Sequence, residues 1–474
     1  MDVAMRDRPR SEAEQANSVP RIVVVGGGAG GLELATMLGD KLGRRGKAEI
    51  TLIDKSRAHL WKPLLHEIAA GSMDLGHHEL DYLAQAHWHH FNYRAGEMIG
   101  LDRNRREVLV PPVIEEKGIE VTPARGYPYD ILVVAVGSST NDFGTPGVEQ
   151  YAICLETPDE AARFHRRLVN ACLRAQNQNG PLRPGQLQVA IVGAGATGVE
   201  LAAELHKTTR ELVAFGLDRI DPDRDITLHL IEAADRILPA LPARIAKSAT
   251  DLLGSLGVKV YTSARVAAVT PDGIKLADGT IINAELVVWA AGVKAPGFLH
   301  NIDGLETNAI NQLVVRQTLQ TTRDDDIFAI GDCAACSWPE RKTLVPPRAQ
   351  AAHQQATHLA KQLPRNTCRA TNSTLVLPRL RLTGVARRIQ HGRQLDGQAR
   401  RSQFLCRRLF RAADVRVVVQ NARICAARLY QSRARHPRSA DHAAHRTSGE
   451  TALTRDARPQ ANTMQLRQRG SPGA

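Results

Sequence analysis

The hydrophobic residues of this chain fall into short apolar runs, separated by glycine-rich turns and by segments with helical spacing. Residues 22–25 (IVVV) lead into the turn GGGAGG, and residues 189–192 (VAIV) lead into GAGATG. Runs of this length that are rich in β-branched residues are typical of strands buried on both faces of a parallel sheet. Each turn is followed by a helical pattern. The sequence therefore predicts two strand–turn–helix units of the same design.

Both turns carry the spacing GxGxxG, at Gly26, Gly28 and Gly31 and again at Gly193, Gly195 and Gly198. The first glycine of such a turn permits the tight bend, the second lets the backbone approach a pyrophosphate, and the third lets the helix pack close to the strand. The helix N-terminus then faces the phosphates with the positive end of its dipole. We therefore expect a dinucleotide at each turn.

An acidic residue ends the next predicted strand of each unit, Asp54 in the first and Glu232 in the second. A carboxylate at this position can accept a hydrogen bond from a ribose hydroxyl. Glu232 would also repel the 2′-phosphate of NADP, so the second site is predicted to prefer NAD(H), a preference that the nearby Arg236 weakens slightly. Two sites in one chain indicate a bound flavin, FAD, and a nicotinamide, NADH, that donates hydride.

Two further apolar runs occupy equivalent places in the two halves and contain Gly137 and Gly292 near their ends. A third run ends in Gly331-Asp332, where backbone amides and a carboxylate are expected to hold the ribityl and pyrophosphate groups of the flavin. The nicotinamide motif thus lies between two parts of the flavin motif. This order resembles the glutathione reductase-like flavoproteins with two dinucleotide-binding domains, and the resemblance covers residues 20–363.

The resemblance implies an α/β fold with two Rossmann-like domains, in which the NAD domain is inserted in the FAD domain. The expected organisation is a disordered N-terminus at 1–19, an FAD-binding domain at 20–150 and 297–363, an NADH-binding domain at 151–296, and a basic tail at 364–474. We expect this tail to be disordered or aberrant, since it has no counterpart in the resemblance.

The positions of the cysteines bear on the electron acceptor. A disulfide reductase would carry a redox-active cysteine pair in the segment after Asp54, and that segment contains none. The pair Cys333-x-x-Cys336 follows a predicted buried strand, and we interpret both residues as packing thiols. The seven scattered cysteines of the chain indicate a reducing compartment.

Two segments distinguish between the branches of this superfamily, residues 59–71 and residues 345–363. The second contains AQxAxQ, with Ala349, Gln350 and Gln354. The two glutamines are four residues apart and share a helix face, and the alanines leave room beside them for a flat ring. Together the two segments resemble the type II NADH:quinone oxidoreductases, which are single-subunit respiratory dehydrogenases that do not pump protons.

That resemblance implies hydride transfer from NADH to FAD, followed by transfer of two electrons to a membrane quinone beside AQxAxQ. It implies catalytic roles for Glu200, Gln350, His353 and Gln354, with Glu200 and His353 as candidate proton donors. Lys62 and Ala349 join the residues expected at the cofactors. The alternatives are another NAD(P)H-dependent flavoprotein reductase, of the ferredoxin-reductase or sulfide:quinone type, and an inactive product with a frameshifted C-terminus.

The net charge of +13 does not indicate a nucleic-acid partner once it is located along the chain. Residues 364–474 contain 23 Arg, no Lys and 5 acidic residues, whereas residues 1–363 carry a net charge of −5. The basic excess thus lies outside the predicted enzyme. A histidine-rich stretch at 77–93 matches no closed zinc site, so no metal site is expected.

The tail also departs from the family in sequence. Family members continue past AQxAxQ with a phrase much like DFGSLVSLGEYSTVGNLMG, and then with an apolar or amphipathic region that seats the enzyme on the membrane. Ordinary codons for that phrase, read in a shifted frame, can give RLRLTGVARRIQHGRQLDG, residues 379–397 of this chain. We therefore hypothesise a frameshift near residues 364–374. A genuine basic, disordered tail is the alternative.

The location of the protein follows from the same observations. No apolar run approaches the roughly 20 residues of a transmembrane helix, and residues 1–19 have no apolar core of a signal peptide. The resemblance implies peripheral association with the cytoplasmic face of a bacterial inner membrane, with its C-terminal determinant missing. If the altered tail is real, we expect a cytoplasmic protein. A homodimer is left open.

Overall fold

The computed structural model describes residues 19–74, 76, 78–115, 117–338 and 342–367. The frameshift hypothesis and nearly all of the basic tail lie outside these residues, as does the N-terminus to residue 18. The described helices are α1 (Gly31–Lys41), α2 (Leu65–Ala70), α3 (Tyr82–His89), α4 (Val148–Tyr151), α5 (Pro158–Asn177), α6 (Ala196–Ala214), α7 (Ala243–Ser255) and α8 (Ala349–Thr367). None of these helices is long and apolar enough to cross a membrane.

The described strands are numbered along the chain. They are β1 (Arg21–Val25), β2 (Glu49–Asp54), β3 (Ala58–His59), β4 (Leu80–Asp81), β5 (Asn92–Ala95), β6 (Gly100–Asp102), β7 (Glu107–Val110), β8 (Val113–Ile114), β9 (Glu120–Thr122), β10 (Arg125–Pro128), β11 (Ile131–Val134), β12 (Ser139–Thr140), β13 (Ala152–Cys154), β14 (Gln188–Val192), β15 (Thr227–Ile231), β16 (Lys259–Tyr261), β17 (Val266–Thr270), β18 (Gly273–Leu276), β19 (Ile281–Asn283), β20 (Leu286–Trp289), β21 (Val293–Lys294), β22 (Leu313–Val315), β23 (Ile327–Ala329), β24 (Ala334–Trp338) and β25 (Thr343–Leu344).

Two five-stranded sheets form the framework, and all their neighbouring strands are parallel. The first has the order β23-β11-β1-β2-β5 and the second has the order β13-β20-β14-β15-β16. The central strands β1 and β14 are the two apolar runs identified in the sequence, and their last four residues are buried. The predicted α/β fold class is therefore confirmed.

The two sheets are connected in a way that follows the repeated sequence pattern. Strands β11 and β20 lead to Gly137 and Gly292. They pair with β1 and β14, so they occupy equivalent places in the two sheets. The last strand of the first sheet, β23, comes after the whole second sheet in the chain. A short antiparallel ribbon joins β12 to β21. The domain boundaries given above stay predictions.

Residues 59–71, called the bridging segment below, contact both units, because Nδ1 of His59 lies 2.8 Å from the carbonyl oxygen of Gly27 in the first and helix α2 packs on helices of the second. Helix α2 lies against α5 and α6, and Leu65 and Ile68 share an apolar cluster with Phe164 and Leu168 of α5. Burial of each such side chain on folding stabilises the protein by about 1.5–3 kcal/mol. The helix ends at Gly71, whose positive φ of 83° favours glycine.

Candidate active site

The first glycine turn connects β1 to α1 with the geometry that its spacing predicts. Gly26 has a φ of +98°, and its amide donates to the carbonyl oxygen of Ile53 at 2.8 Å. A Cβ on Gly31 would overlap the carbonyl oxygen of Gly26, so only glycine lets the helix begin this close to the strand. No atom lies within 4 Å of the Cβ position of Gly28. The backbone at Gly28 is thus open to a phosphate.

The second glycine turn, between β14 and α6, repeats this geometry. Gly193 has a φ of +101°, and its amide donates to the carbonyl oxygen of Ile231 at 2.7 Å. A Cβ on Gly198 would overlap the carbonyl oxygen of Gly193, and the Cβ position of Gly195 faces open space. The two turns therefore share one hydrogen-bonding pattern and one packing constraint.

Asp54 and Glu232 hold the two turns through the same pair of contacts. Each carboxylate accepts one hydrogen bond from an amide in its glycine turn and one from the amide two residues further along the chain. These amides belong to Gly27 (2.5 Å) and Ser56 (2.7 Å) for Asp54, and to Ala194 (2.8 Å) and Ala234 (2.9 Å) for Glu232. Because a carboxylate oxygen carries two lone pairs, both groups can still accept from a ribose hydroxyl.

A cleft of about 400 Å³ opens to solvent beside the first turn. Its walls include Gly26, Asp54, Gly96, Met98 and Phe298. The residues present at the first turn therefore fit one end of a dinucleotide.

Several residues predicted to bind the flavin cofactor lie close together after β11 and β23. Asp332 follows β23, and its Oδ2 accepts from the hydroxyl of Ser138 at 2.9 Å. The Nζ of Lys62 donates to the carbonyl oxygen of Ser138 at 3.4 Å. Burial raises the pKa of Asp332, while Ser138 and Lys62 oppose the shift. Gly137 has a φ of +73° and an open Cβ position.

The amide of Gly331, at the turn that is expected to help hold the flavin, has a partner within the protein. That amide donates to Oε1 of Gln355 at 2.7 Å, so a protein side chain already uses it. The carboxylate of Asp332 stays a predicted cofactor-binding group at this turn. At the corresponding place after β20, Gly292 has a φ of +69°, and the ring of Phe143 leaves no room for a Cβ there.

Helix α8, which begins with AQxAxQ, packs on the first glycine turn. A Cβ on Gly30 would lie 3.2 Å from the carbonyl oxygen of Ala352. Ala349, Gln350 and Gln354 are half-buried, and neither glutamine makes a hydrogen bond to another described residue. The two amides are therefore available to a ligand. The structure thus brings this motif to the turn where the flavin is predicted.

His353, a candidate proton donor, lies on the same helix and contacts α1. Its Nδ1 is 2.5 Å from Oε2 of Glu33, a residue in the first turn of α1. The His353 side chain is 38% exposed, whereas that of Glu33 is 19% exposed. The structure thus pairs this histidine with a carboxylate beside the first glycine turn.

Glu200, the other candidate proton donor, faces the bridging segment. Its Oε2 lies 3.7 Å from Nδ1 of His66, a residue of α2. Burial, together with the negative charge of Glu67, raises the pKa of Glu200 to about 7. Burial also lowers the pKa of His66. Near neutral pH this carboxyl group is therefore divided between its protonated and ionised forms.

Cys333 and Cys336 are buried free thiols, as interpreted from the sequence. Burial raises their pKa values to about 12 and about 11, so both remain protonated. A thiol with a raised pKa is a poor nucleophile. These two residues therefore do not supply the reactive pair that a disulfide or sulfide reductase requires.

Two parallel sheets, each with an acid-held glycine turn, define the class of α/β oxidoreductases with two dinucleotide-binding folds. The model of the pyridine nucleotide-disulphide oxidoreductase family matches residues 20–356. A type II NADH:quinone oxidoreductase of Haemophilus influenzae is 46% identical over 354 residues, which are 72% of this chain and 79% of that protein. The chain belongs to the type II NADH:quinone oxidoreductases within this family.

More distant proteins match the same part of the chain in sequence or in fold. A type II NADH:quinone oxidoreductase of Staphylococcus aureus is 29% identical over 356 residues, 73% of this chain and 82% of that protein. The structure of NDH2 from Plasmodium falciparum in complex with NADH shares the fold, with a TM-score of 0.64 at 20% identity, over 76% of this chain and 86% of that chain. The predicted enzyme class and the cofactor pair FAD and NAD(H) are confirmed at the level of the family.

Three polar residues at the site were missed in the sequence. Gln355 lies among the buried positions 352, 356, 359, 360 and 363, so a polar residue inside an apolar helical stripe was the available signal. Ser138 and Glu33 carried no comparable signal, because their partners, Asp332 and His353, are distant in sequence.

Proposed function

We propose that this protein transfers two electrons from NADH, through FAD, to a membrane quinone and that it does not pump protons. The observation that carries this proposal is the docking of the AQxAxQ helix on the first glycine turn and on the Gly331 turn. The name of the relative that is 46% identical supports the same donor and acceptor. We assign FAD to residues 20–150 and 297–363 and NADH to residues 151–296.

In this proposal the two glycine turns bind the two cofactors. The first turn, with Gly26, Gly28, Gly31 and Asp54, receives the pyrophosphate and ribose of FAD. Asp332, Lys62 and Gly137 lie at its flavin end, with Ala349 at the start of α8. The second turn, with Gly193, Gly195, Gly198 and Glu232, receives NADH, and Gly292 lies at the nicotinamide end. FAD, when bound, supplies the two-electron chemistry, because it accepts hydride from NADH and passes electrons on.

The residues of this chain would then orient the substrates and deliver protons. The amides of Gln350 and Gln354 donate to the carbonyl oxygens of the quinone ring. Glu200, with its pKa of about 7, and His353, paired with Glu33, hold protons that quinone reduction requires. Hydride transfer itself needs alignment more than acid or base, so the second glycine turn acts by positioning NADH.

The expected location is the cytoplasmic face of a bacterial inner membrane, without a spanning helix. Sedimentation of the full chain with vesicles of bacterial lipids tests this expectation. Co-sedimentation would support peripheral binding to the membrane. A protein that stays in the supernatant would indicate that membrane binding has been lost with the altered tail. Size-exclusion chromatography of the same preparation tests whether the chain forms a homodimer.

The absorbance spectrum of the purified full-length chain tests the proposed reaction. We expect flavin bands that bleach on anaerobic addition of NADH and return on addition of a short-chain quinone, with NADPH at least about tenfold slower. Bands that return with ferredoxin but not with quinone would favour a ferredoxin-reductase-like enzyme. A colourless protein would identify an inactive product.

A further inference from the structure

We propose that Gln355 is a positioning residue for the acceptor half-reaction, and this inference rests on the proposed function. It lies directly after AQxAxQ in the chain. Its side chain is 1% exposed, and its Oε1 accepts from the amide of Gly331 at 2.7 Å. One hydrogen bond thus connects the acceptor helix to the turn that carries Asp332.

The packing around this hydrogen bond makes it a point of alignment. Ala352, one helical turn before Gln355, packs on two segments of the first unit, at Gly30 and at Gly331. A Cβ on Gly30 would be 3.3 Å from Cβ of Ala352, and a Cβ on Gly331 would be 3.4 Å from it. The helix therefore has no room to slide along its axis without breaking the contact between Gln355 and Gly331.

A second contact restrains rotation of the same helix. His353 meets Glu33 of α1 on one side, while Gln355 meets Gly331 on the other. Between them in the chain lies Gln354, whose amide is left free for the acceptor in the described part of the structure. The contacts of His353 with Glu33 and of Gln355 with Gly331 fix the positions of the two glutamines of AQxAxQ relative to the turn that carries Asp332.

The consequence is specific to one half of the reaction. NADH binds at the second glycine turn, which Gln355 does not contact, so its removal should leave flavin reduction largely unchanged. Reoxidation of the flavin by quinone depends on the placement of Gln350 and Gln354. A misplacement of about 1 Å can slow a reaction up to roughly 100-fold.

The experiment compares Gln355→Met with Gln355→Glu in the full-length, flavin-loaded protein. Methionine matches the size of glutamine but cannot accept the amide hydrogen bond, whereas glutamate retains the acceptor oxygen. Stopped-flow absorbance measures flavin reduction by NADH and reoxidation by a short-chain quinone. We expect Gln355→Met to slow reoxidation about tenfold and to change reduction less than about twofold, and Gln355→Glu to restore reoxidation to within about threefold.

Gln186→Met is the matched control. Gln186 is also a buried glutamine whose Oε1 accepts a backbone amide, that of Arg183 at 3.0 Å, but it lies before β14 and away from α8. The Gln186→Met variant should reduce and reoxidise its flavin at the wild-type rates. If Gln355→Met does not retain flavin, Gln355→Asn, which is one methylene shorter, replaces it.

Three results would overturn the inference. They are a reoxidation rate for Gln355→Met equal to wild type, an equal loss in both half-reactions, and a Gln355→Glu variant as slow as the methionine variant. Failure of the proposed function is seen separately, because wild-type protein would then not be reoxidised by quinone at all.

Discussion

The two glycine turns of this molecule are almost identical in backbone but differ in what covers them. In the first, the carbonyl oxygen of Gly27 accepts from the hydroxyl of Tyr82 and contacts Nδ1 of His59, both at 2.8 Å. In the second, the carbonyl oxygen of Ala194 accepts only a backbone amide, that of Leu238, among described residues. The first turn is thus held by side chains from elsewhere in the chain.

The same contrast appears in exposure. In the first turn, Gly28 is the one exposed residue between Gly26 and Gly31, whereas residues 195–197 of the second turn are all exposed. Helix α8 also packs on Gly30 of the first turn, whereas Thr197, the equivalent residue of the second turn, is exposed. This difference fits the proposal that the covered first turn retains FAD and the open second turn exchanges NADH. Four substitutions test this contrast.

The largest effect is expected for Gly31→Ala. The added Cβ overlaps the carbonyl oxygen of Gly26, so α1 must move away from the first turn. We expect the flavin content of the purified protein to fall at least about tenfold, because displacement removes the phosphate-facing amides. Gly254→Ala, in α7 with open space at its Cβ position, is the control. A yellow Gly31→Ala protein with one flavin per chain would contradict the assignment of the first turn.

Gly198→Ala makes the matching change in the second turn, where the Cβ would overlap the carbonyl oxygen of Gly193. Here the flavin should remain, while the rate of flavin reduction by a fixed low concentration of NADH falls roughly 100-fold. Stopped-flow bleaching measures this rate. Loss of flavin in this variant would show that the two turns do not divide the cofactors as proposed.

Glu200→Gln tests the buried carboxyl between the two folds. Because the pKa of Glu200 is about 7, the donor proton is lost as pH rises above 7, and quinone-driven reoxidation in wild type should fall about tenfold by pH 8–8.5. The glutamine variant should be slow and independent of pH. Glu211→Gln, on the exposed face of α6, should follow the wild-type profile.

The same substitution has a consequence for stability with a definite sign. A carboxyl whose pKa is raised in the folded state binds its proton more tightly there, so its stabilising contribution is complete below pH 4.5 and is lost as pH rises through 7. Glu200→Gln removes this dependence. Relative to wild type, its free energy of unfolding should therefore rise between pH 4.5 and 8, by up to about 3 kcal/mol. A constant difference across this range in urea titrations would argue against burial of the ionised group.

The smallest effect is expected for Glu232→Gln. The amide oxygen can keep one of the two hydrogen bonds to Ala194 and Ala234, so the turn should persist. Loss of the negative charge removes repulsion of a 2′-phosphate, and the ratio of kcat/KM for NADPH to that for NADH should rise about fivefold. An unchanged ratio would place the discrimination elsewhere, with Arg236 as the next residue to test.

Much of the fold could be predicted because its signals are local. Within each unit, the apolar run, the glycine spacing and the acid lie close together in the chain, from residue 22 to 54 in the first and from 189 to 232 in the second. A GxGxxG turn permits few backbone geometries, and the structure has the expected one twice. The acceptor residues on α8 could be proposed because AQxAxQ is a recognisable motif with a helical period.

The contacts that assemble the site could not be predicted, because they join residues far apart in the chain. The Gly331 amide was expected to face the flavin, yet Gln355 takes it. His353 meets Glu33 across 320 positions, and Glu200 meets His66 only because α2 packs on α6. A sequence pattern carries no information on which of several helices will cover a given turn.

The sequence by itself thus determined the two nucleotide-binding units, the acids that hold them and the type of chemistry, since each depends on residues adjacent in the chain. Tertiary structure alone decided which turn is covered, which amides stay free and how strongly Glu200 holds its proton. These properties depend on burial and on the distance between charged groups. Burial and these distances are set by the packing of segments that are far apart in the sequence, and not by residues that are neighbours in the chain.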